Sequence, residues 1–338
     1  MKQLKEIRIS IIGQWLYNVP KFSELLRIFG RKILYCFLPY LKYKKEKKEN
    51  TFWNYSYHNF WNWIKKWEFR VERFIEKKWL NKTWKKIDFF SNFWPKKNLK
   101  YSNNVKIFYT WEYIWKDRFP SYDDYCLWKV DLSLWFRNYT RNDYCHLPWR
   151  LCTLIDPCKT SYKEIWEQIN KIELIKFSKK NKFCCLISRH DDKLLKRTKI
   201  YNELTTIDNI DCPANLLHNI DVKIPTYADK ISFLKDYKFN ICPENKNHKW
   251  YITEKLVDSL KGWCIPIFDW IFWDIEEKVF NKKRIIRYGN TLKENVDILY
   301  KDTDAYKNFI EIPIFNKWAQ DIIYEMISNF NKKINSII

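Results

Sequence analysis

The chain has 338 residues, 46% of them hydrophobic, which is enough to bury the cores of two domains and excludes an intrinsically disordered protein. Its 62 lysines and arginines outnumber 40 aspartates and glutamates, so the net charge is +22. This excess favours an anionic partner such as nucleic acid, an acidic membrane face or a phosphorylated substrate. Because the basic residues are spread along the chain, compositional drift in an AT-rich gene explains the charge equally well.

The first half of the chain predicts short strands. A strand is predicted over residues 5–13, a helical or mixed stretch over 19–41 and a solvated basic run over 42–50, whereas residues 53–87 show no clean periodicity. Further short strands, separated by turn signals, are predicted within residues 86–93, 105–111 and 125–131.

Strands and helices alternate in the second half. Strands are predicted within 182–188, 238–245 and 264–268, and helices over 196–204 and 251–262. The alternation implies parallel sheets and an α/β fold. We place a boundary in a polar run near residues 177–181, which divides the chain into domains 1–177 and 178–313. A closing amphipathic helix is predicted over 314–338.

The ten cysteines indicate a reduced protein. None forms a Cys-x-x-Cys pair, so a zinc ribbon or redox dithiol has little support. Cys184, Cys185 and Cys264 lie in apolar runs, where a free thiol behaves as a small hydrophobe. No signal-peptide cleavage site is visible, and the most apolar early stretch, 25–41, is interrupted by basic residues and shorter than a membrane span of ~20 residues. We therefore predict a cytoplasmic protein, with peripheral contact of a basic amphipathic segment to an acidic membrane as a further expectation.

Glycine and tryptophan are present in unusual numbers, 4 and 19 respectively. Average usage predicts roughly 24 glycines in a chain of this length, and glycine is needed wherever φ is positive or backbone approaches a ligand closely. Tryptophan and glycine together come close to that number. We hypothesise that many of the tryptophans stand at UGA codons that the organism reads as glycine. The alternative is a protein rich in aromatic platforms for sugars.

One segment predicts a phosphate site. Residues 238–260 read as a strand, a polar loop and a helix that opens with Thr253, Glu254 and Lys255. A helix N-terminus offers free N–H groups and the positive end of the dipole, and Lys255 would add a full charge. An ordinary surface helix with adjacent acid and base gives the same pattern, so both interpretations stay open on the pattern alone.

The same segment resembles the donor-binding motif of the α1,3-fucosyltransferases, glycosyltransferase family 10. That motif has the form F-x-x-x-F/P-E-N, a short loop, G-Y-V-T-E-K-L and then A-G-x-x-P-I. Five further blocks are similar to family blocks in the same order, over about residues 87–290, whereas residues 1–86 match nothing. They read VKIFYTWEY, DDYCLWKVD, NDYCHLP, KFCCLISRHDDKLLKRTKIYNEL and DCPANLLHNI.

The tryptophans coincide with glycine positions of the family pattern. These positions are Trp111, Trp128, Trp250, Trp263 and Trp270, with Trp94 as a further one. Their coincidence favours the UGA hypothesis over scattered aromatic platforms. Other departures are not explained by such recoding: Arg189 and Tyr113 each replace an asparagine of the pattern, and the pair at 213–214 replaces two glycines.

The resemblance implies a GT-B fold, in which two Rossmann-like α/β domains face each other across a cleft. It also implies an inverting glycosyltransferase that moves fucose from GDP-fucose to a hydroxyl of a glycan acceptor, on lipopolysaccharide or protein, with no cofactor and no metal. By the same resemblance Glu112 would be the catalytic base, and the donor would be bound by Arg197, Asn245, Tyr251, Glu254 and Lys255. Of these, Arg197 and Lys255 would contact the diphosphate, Tyr251 and Glu254 would hold the base or ribose, and Asn245 would shape the loop.

Two other functions remain open on the sequence. A basic, aromatic-rich chain could bind nucleic acid by stacking bases on tryptophan and tyrosine, as the WNWIKKWEF run within residues 53–87 suggests. An inactive relative could bind sugar without transferring it. We expect acceptor specificity to lie in residues 1–86, which the family pattern does not cover.

Overall fold

The structure is a computed structural model, and it describes most of the chain from residue 85 onwards. The described residues are 41, 43–45, 48, 51–52, 55–58, 85–93, 96–114, 119–137, 139–173, 180–246, 248–249, 251–269 and 275–338. The predicted strand at 5–13 and nearly all of the stretch at 19–41 lie outside these residues, as do Trp94, Trp250 and Trp270. The predicted domain boundary falls between 173 and 180, also outside them, and stays a prediction.

The first sheet has six strands that are neighbours in chain order. They are β1 (Thr51–Phe52), β2 (Tyr55–His58), β3 (Ile87–Phe90), β4 (Val105–Tyr109), β5 (Leu132–Trp135) and β6 (Tyr144–His146). β1 pairs antiparallel with β2, and every later pair is parallel. Two helices follow, α1 (Trp149–Leu154) and α2 (Tyr162–Glu173).

Strands β2, β3 and β5 are buried along their whole length. A parallel sheet covered on both faces loses the alternation of polar and apolar residues that marks a half-exposed strand. This explains why β2 was not predicted within 53–87. The predicted strands within 86–93 and 105–111 are confirmed as β3 and β4.

The strand predicted within residues 125–131 is wrong. Tyr125, Cys126 and Trp128 have φ of 53°, 56° and 66°, in the left-handed region, which no strand residue adopts. Asp124 anchors the resulting turn, because its carboxylate accepts the N–H of Cys126 at 3.0 Å. Strand β5 begins only at Leu132. Aromatic and β-branched residues produced a strand-like pattern where local backbone geometry makes a turn.

The second sheet has five strands, all parallel. They are β7 (Lys182–Cys185), β8 (Ile210–Asp211), β9 (Tyr237–Ile241), β10 (Ile265–Phe268) and β11 (Ile286–Arg287), in the order β11-β10-β9-β7-β8. β7 therefore has β8 on one side and β9 on the other, so the winding direction reverses between β7 and β9. In doubly wound sheets the crevice at such a switch point, outside the carboxyl ends of the strands, is where ligands bind.

Six helices flank this sheet in the described residues. They are α3 (Lys196–Leu204), α4 (Tyr227–Leu234), α5 (Glu254–Lys261), α6 (Ile275–Val279), α7 (Leu292–Lys301) and α8 (Thr303–Glu311). The predicted helices at 196–204 and 251–262 are confirmed, as are the strands within 182–188, 238–245 and 264–268.

The last helix, α9 (Ala319–Ile337), confirms the predicted closing helix and returns to the first sheet. It packs against α2, α6, β5 and β6. Ile323, Ile327, Phe330 and Ile334 form its buried face, at the spacing of one side of a helix. They share one apolar core with the first sheet and with α5, so the chain ends by covering its first half.

Two tryptophans at predicted glycine positions have left-handed backbone, Trp128 with φ of 66° and Trp263 with φ of 60°. Trp263 follows Gly262, the C-cap residue of helix α5. Its N–H donates to Leu260 O and the N–H of Cys264 donates to Ser259 O, both at 3.0 Å. This pair of bonds is the Schellman motif, whose left-handed residue is usually glycine. The backbone at these two positions therefore has the conformation that the UGA hypothesis requires.

Eight cysteines whose side chains the structure describes are free thiols, and all of them but Cys158 are buried. Burial raises the pKa of the Cys145 and Cys212 thiols to about 12. These cysteines therefore pack as small apolar side chains. Among the helices of the described residues, none has the length and apolar character needed to span a membrane.

Candidate functional site

A cavity opens at the switch point of the second sheet. Its walls are residues that follow β7 and β9, together with charged residues from three helices. The lining comprises Ile187, Ser188, Arg197, Lys230, Asn240, Ile241, Cys242, Pro243, Lys255 and Asp258. The sequence-predicted cations Arg197 and Lys255 thus meet at one cavity.

Arg197 carries a buried charge that has no acidic partner within the described part of the chain. Its side chain is 2% exposed, and it donates to the carbonyl oxygens of His190 at 2.8 Å and Pro243 at 2.9 Å. It also donates to the side-chain oxygen of Asn245 at 2.7 Å. Among the described residues no carboxylate lies within 4.0 Å of this guanidinium. A buried cation held only by neutral acceptors favours an anionic ligand, because isolated buried charge is costly.

Lys255 is held at the start of α5 by carboxylates. Its Nζ lies 2.8 Å from Glu244 Oε2 and 3.8 Å from Glu254 Oε1. Burial alone would lower the pKa of Lys255, but the attraction of Glu244 and Glu254 outweighs it and raises the pKa. The ammonium is therefore charged at neutral pH.

Glu244 organises the loop that precedes α5. It is 2% exposed, and its carboxylate accepts the backbone N–H of Thr253 at 2.6 Å and the Thr253 hydroxyl at 2.7 Å. The same carboxylate pairs with Lys255, so one side chain holds both the N-cap residue of α5 and the cation. Sequence reasoning gave Glu244 no role, although it stands in the P-E-N block that signals the motif.

Asn245 and Glu254 lie beside the two cations. Asn245 contacts Arg197 directly, as described above, and so connects the polar loop to α3. Glu254 is the first residue of α5. Burial would raise the pKa of Glu254, but Lys255 and Lys230 together lower it, so the carboxylate is ionised. Each of these two predicted residues thus contacts a cation that lines the cavity.

Tyr251 lies on the side that faces the first sheet. It is 4% exposed, and its ring meets Tyr113 at 5.5 Å and Phe136 at 5.3 Å between centroids, both in an edge-on arrangement. Burial raises the pKa of Tyr251 well above its ordinary value, and Glu244 and Glu112 raise it further. The phenol is therefore neutral and packed among aromatic rings of the first half of the chain.

Glu112 approaches the site from the end of β4. Its N–H donates to Thr110 Oγ1 and its carbonyl oxygen accepts the indole N–H of Trp135, both at 3.0 Å. These bonds hold its backbone at the carboxyl edge of the first sheet. Its negative charge is one of those that raise the pKa of Tyr251. Tyr113, the next residue, reaches across to His248 with 4.4 Å between ring centroids.

One cation of the cavity was not predicted. Lys230, on α4, lies 2.6 Å from Asp258 Oδ2 on α5. No motif marked either residue, because their partnership depends on the packing of two helices. Among the described residues, no cluster of three or more His, Cys, Asp or Glu side chains has an arrangement that could hold a metal ion.

Residues 177–312 match the family model described as glycosyltransferase family 10 (fucosyltransferase), C-terminal. This segment belongs to glycosyltransferase family 10. It contains the whole switch-point cavity, including Arg197 and Lys255, whereas Glu112 lies outside it. The predicted family is thereby confirmed for the part of the chain that carries the donor motif.

Two curated relatives match part of the chain. The α-(1,3)-fucosyltransferase FucT of Helicobacter pylori is 26% identical over 132 residues, covering 38% of this chain and 24% of the relative. A protein of Acanthamoeba polyphaga mimivirus, named provisionally as a fucosyltransferase, is 27% identical over 172 residues, covering 46% of this chain and 27% of the relative. The matches therefore span about a quarter of the length of these relatives.

Solved structures show the fold. Crystal structures of α1,3-fucosyltransferase match with a TM-score of 0.56 at 18% identity, over 86% of this chain and 91% of theirs. A structure with GDP-fucose matches with a TM-score of 0.55 at 17% identity, over 88% of this chain and 97% of that one. The predicted α/β fold of the GT-B type, with two Rossmann-like sheets, is confirmed.

Proposed function

We propose that this protein is an inverting glycosyltransferase that transfers fucose from GDP-fucose to a hydroxyl of a glycan. The observation that carries the proposal is the switch-point cavity, where Arg197 and Lys255 converge and Arg197 has no acidic partner among the described residues. The family 10 match and the relatives named as fucosyltransferases support the sugar, and the similar structures with GDP-fucose and with GDP support the donor.

The two cations suit the charge of a nucleotide diphosphate. As the bond between the sugar and GDP breaks, negative charge grows on the diphosphate. Arg197 offers a planar fork of donors for two phosphate oxygens, and Lys255 offers a compact charge beside it. Because both are fixed by surrounding acceptors before the reaction, they stabilise the leaving group without reorganising. We propose that these residues do this without a metal ion.

Glu112 is the proposed general base. The acceptor hydroxyl oxygen forms a bond to the anomeric carbon while GDP leaves from the opposite face with its bonding electron pair, and the hydroxyl proton passes to the Glu112 carboxylate. Attack from the face opposite the leaving group inverts the anomeric centre. The proposal is supported by the place of Glu112, which enters from the first sheet beside Tyr251. We further propose that the acceptor is a surface glycan such as lipopolysaccharide. We also propose peripheral contact with an acidic membrane, which the net charge of +22 supports.

Matched variants test the two roles. Arg197→Ala and Lys255→Ala each remove a charge-assisted phosphate contact, so we expect GDP affinity, measured by calorimetry, and fucose transfer to fall by roughly 10–150-fold. Glu112→Gln removes the base, so transfer should fall by ~100-fold or more while GDP affinity barely changes. Near-normal transfer by Glu112→Gln would refute the base assignment. Loss of wild-type transfer in EDTA would refute the metal-free reaction, and binding of GDP without turnover would indicate an inactive relative.

A further inference from the structure

Lys230 is a third cation in the switch-point cavity. Arg197 lies on α3, Lys255 on α5 and Lys230 on α4, so cations from three separate helices line the same cavity. In contrast with Arg197, Lys230 has a carboxylate partner, Asp258, at 2.6 Å. The side chain of Lys230 remains 23% exposed, whereas that of Asp258 is 1% exposed.

Both carboxylate oxygens of the buried Asp258 accept hydrogen bonds. One of its carboxylate oxygens accepts the hydroxyl of Tyr227 at 2.7 Å, and the other accepts Lys230 at 2.6 Å. Burial would lower the pKa of Lys230, but Asp258 and Glu254 outweigh it and raise the pKa. The ammonium is therefore charged, and the buried carboxylate of Asp258 fixes its position.

Stability alone does not account for this pair. A buried ion pair contributes little net stability compared with apolar side chains of the same volume, because desolvation offsets the attraction. Here the pair lies on the wall of a cavity, and the lysine is its more exposed member. A nucleotide diphosphate brings several negative charges into that cavity, which Arg197 and Lys255 alone would neutralise only in part.

We propose that Lys230 is a third donor-binding residue, which contacts the diphosphate together with Arg197 and Lys255. Asp258 and Tyr227 are positioning residues, since they act through the Lys230 ammonium and not on the ligand. The inference rests on the proposed function, because it takes a nucleoside diphosphate as the ligand of the cavity. It adds a helix, α4, to the binding site.

The test uses the double variant Lys230→Met with Asp258→Asn, which keeps both side-chain volumes and leaves no buried charge unpaired. We expect its affinity for GDP, measured by calorimetry, to fall by roughly 10–100-fold, as for loss of a charge-assisted contact. Affinity for guanosine, which has no phosphate, should not change. Lys238→Met is the matched control, because Lys238 lies on β9 over the ring of Tyr300 and outside the cavity, and it should bind GDP as the wild type does.

A double variant that binds GDP as tightly as the wild type would overturn the inference alone, because Lys230 would then serve only to neutralise Asp258. A wild type that binds no GDP would overturn the proposed function and the inference with it. Asp258→Asn provides a second measurement if the double variant does not fold. It removes the carboxylate that positions the Lys230 ammonium, so GDP affinity should fall while affinity for guanosine stays the same, and unchanged GDP affinity would contradict the inference.

Discussion

Trp263 offers a direct test of whether the fold needs glycine where the chain has tryptophan. A residue with a Cβ pays roughly 1–2 kcal/mol for the left-handed conformation that ends helix α5. Cation–π contacts of the indole ring offset this cost, because the ring centroid lies 4.7 Å from Lys235 Nζ and 5.8 Å from Lys180 Nζ. Each such contact contributes about 0.5–1 kcal/mol. A single substitution would therefore mix two effects of similar size.

Comparing Trp263→Gly with Trp263→Ala separates them. Both variants lose the ring contacts, but only glycine removes the Cβ strain. The greater backbone freedom of glycine in the unfolded chain offsets about 0.5–1 kcal/mol of that gain. We expect Trp263→Gly to be more stable than Trp263→Ala by roughly 0.5–1 kcal/mol, measured as the free energy of unfolding in urea at equal m-value.

The control is the same pair of substitutions at Trp166. This side chain is 53% exposed and lies within α2, where backbone is helical. There glycine should be less stable than alanine by about 1 kcal/mol, the difference in helix propensity. The order of the two variants should thus reverse between the two sites. If Trp263→Ala is as stable as Trp263→Gly, the left-handed requirement at this position is refuted.

Three further predictions concern the gene, the packing of α5 and acid stability. We expect the codons at Trp111, Trp128, Trp250, Trp263 and Trp270 to be UGA, and UGG at all five would refute recoding. Gly262→Ala should destabilise the protein by about 1–3 kcal/mol in urea unfolding, because a Cβ there would lie 2.3 Å from Leu234 Cβ; an unchanged midpoint would contradict this contact. Burial would raise the pKa of Asp88, but interactions with His58 and Asn104 outweigh it and lower the pKa to about 2. In the unfolded chain the pKa of Asp88 is near 4, so the lowered pKa stabilises the fold above pH 4, and about 1 kcal/mol of this stabilisation is lost by pH 3. Asp88→Asn should lack this part of the acid dependence of the free energy of unfolding, and a pH profile identical to that of the wild type would refute the prediction.

The sequence alone determined three strands of the second sheet and the family. Short apolar runs bounded by polar loops, such as 182–188 and 264–268, form strands. They could be predicted because consecutive apolar residues indicate a strand that is buried on both faces. Helix α5 follows from apolar residues at helical spacing after Thr253. Ordered motif blocks then identified the donor segment, and the surplus of tryptophan over glycine pointed to positions such as Trp263 before any backbone angle was known.

Only the tertiary structure decided which side chains share the cavity. Lys230 and Asp258 stand on different helices, and Glu244 meets Lys255 across a loop, so each contact depends on how elements pack rather than on spacing. Strand β2 was missed and the turn after Asp124 was misassigned for a related reason. A strand buried on both faces has no alternation, and a left-handed turn made of aromatic residues has the composition of a strand. Local sequence specifies local conformation, whereas contacts between distant segments depend on the packed whole.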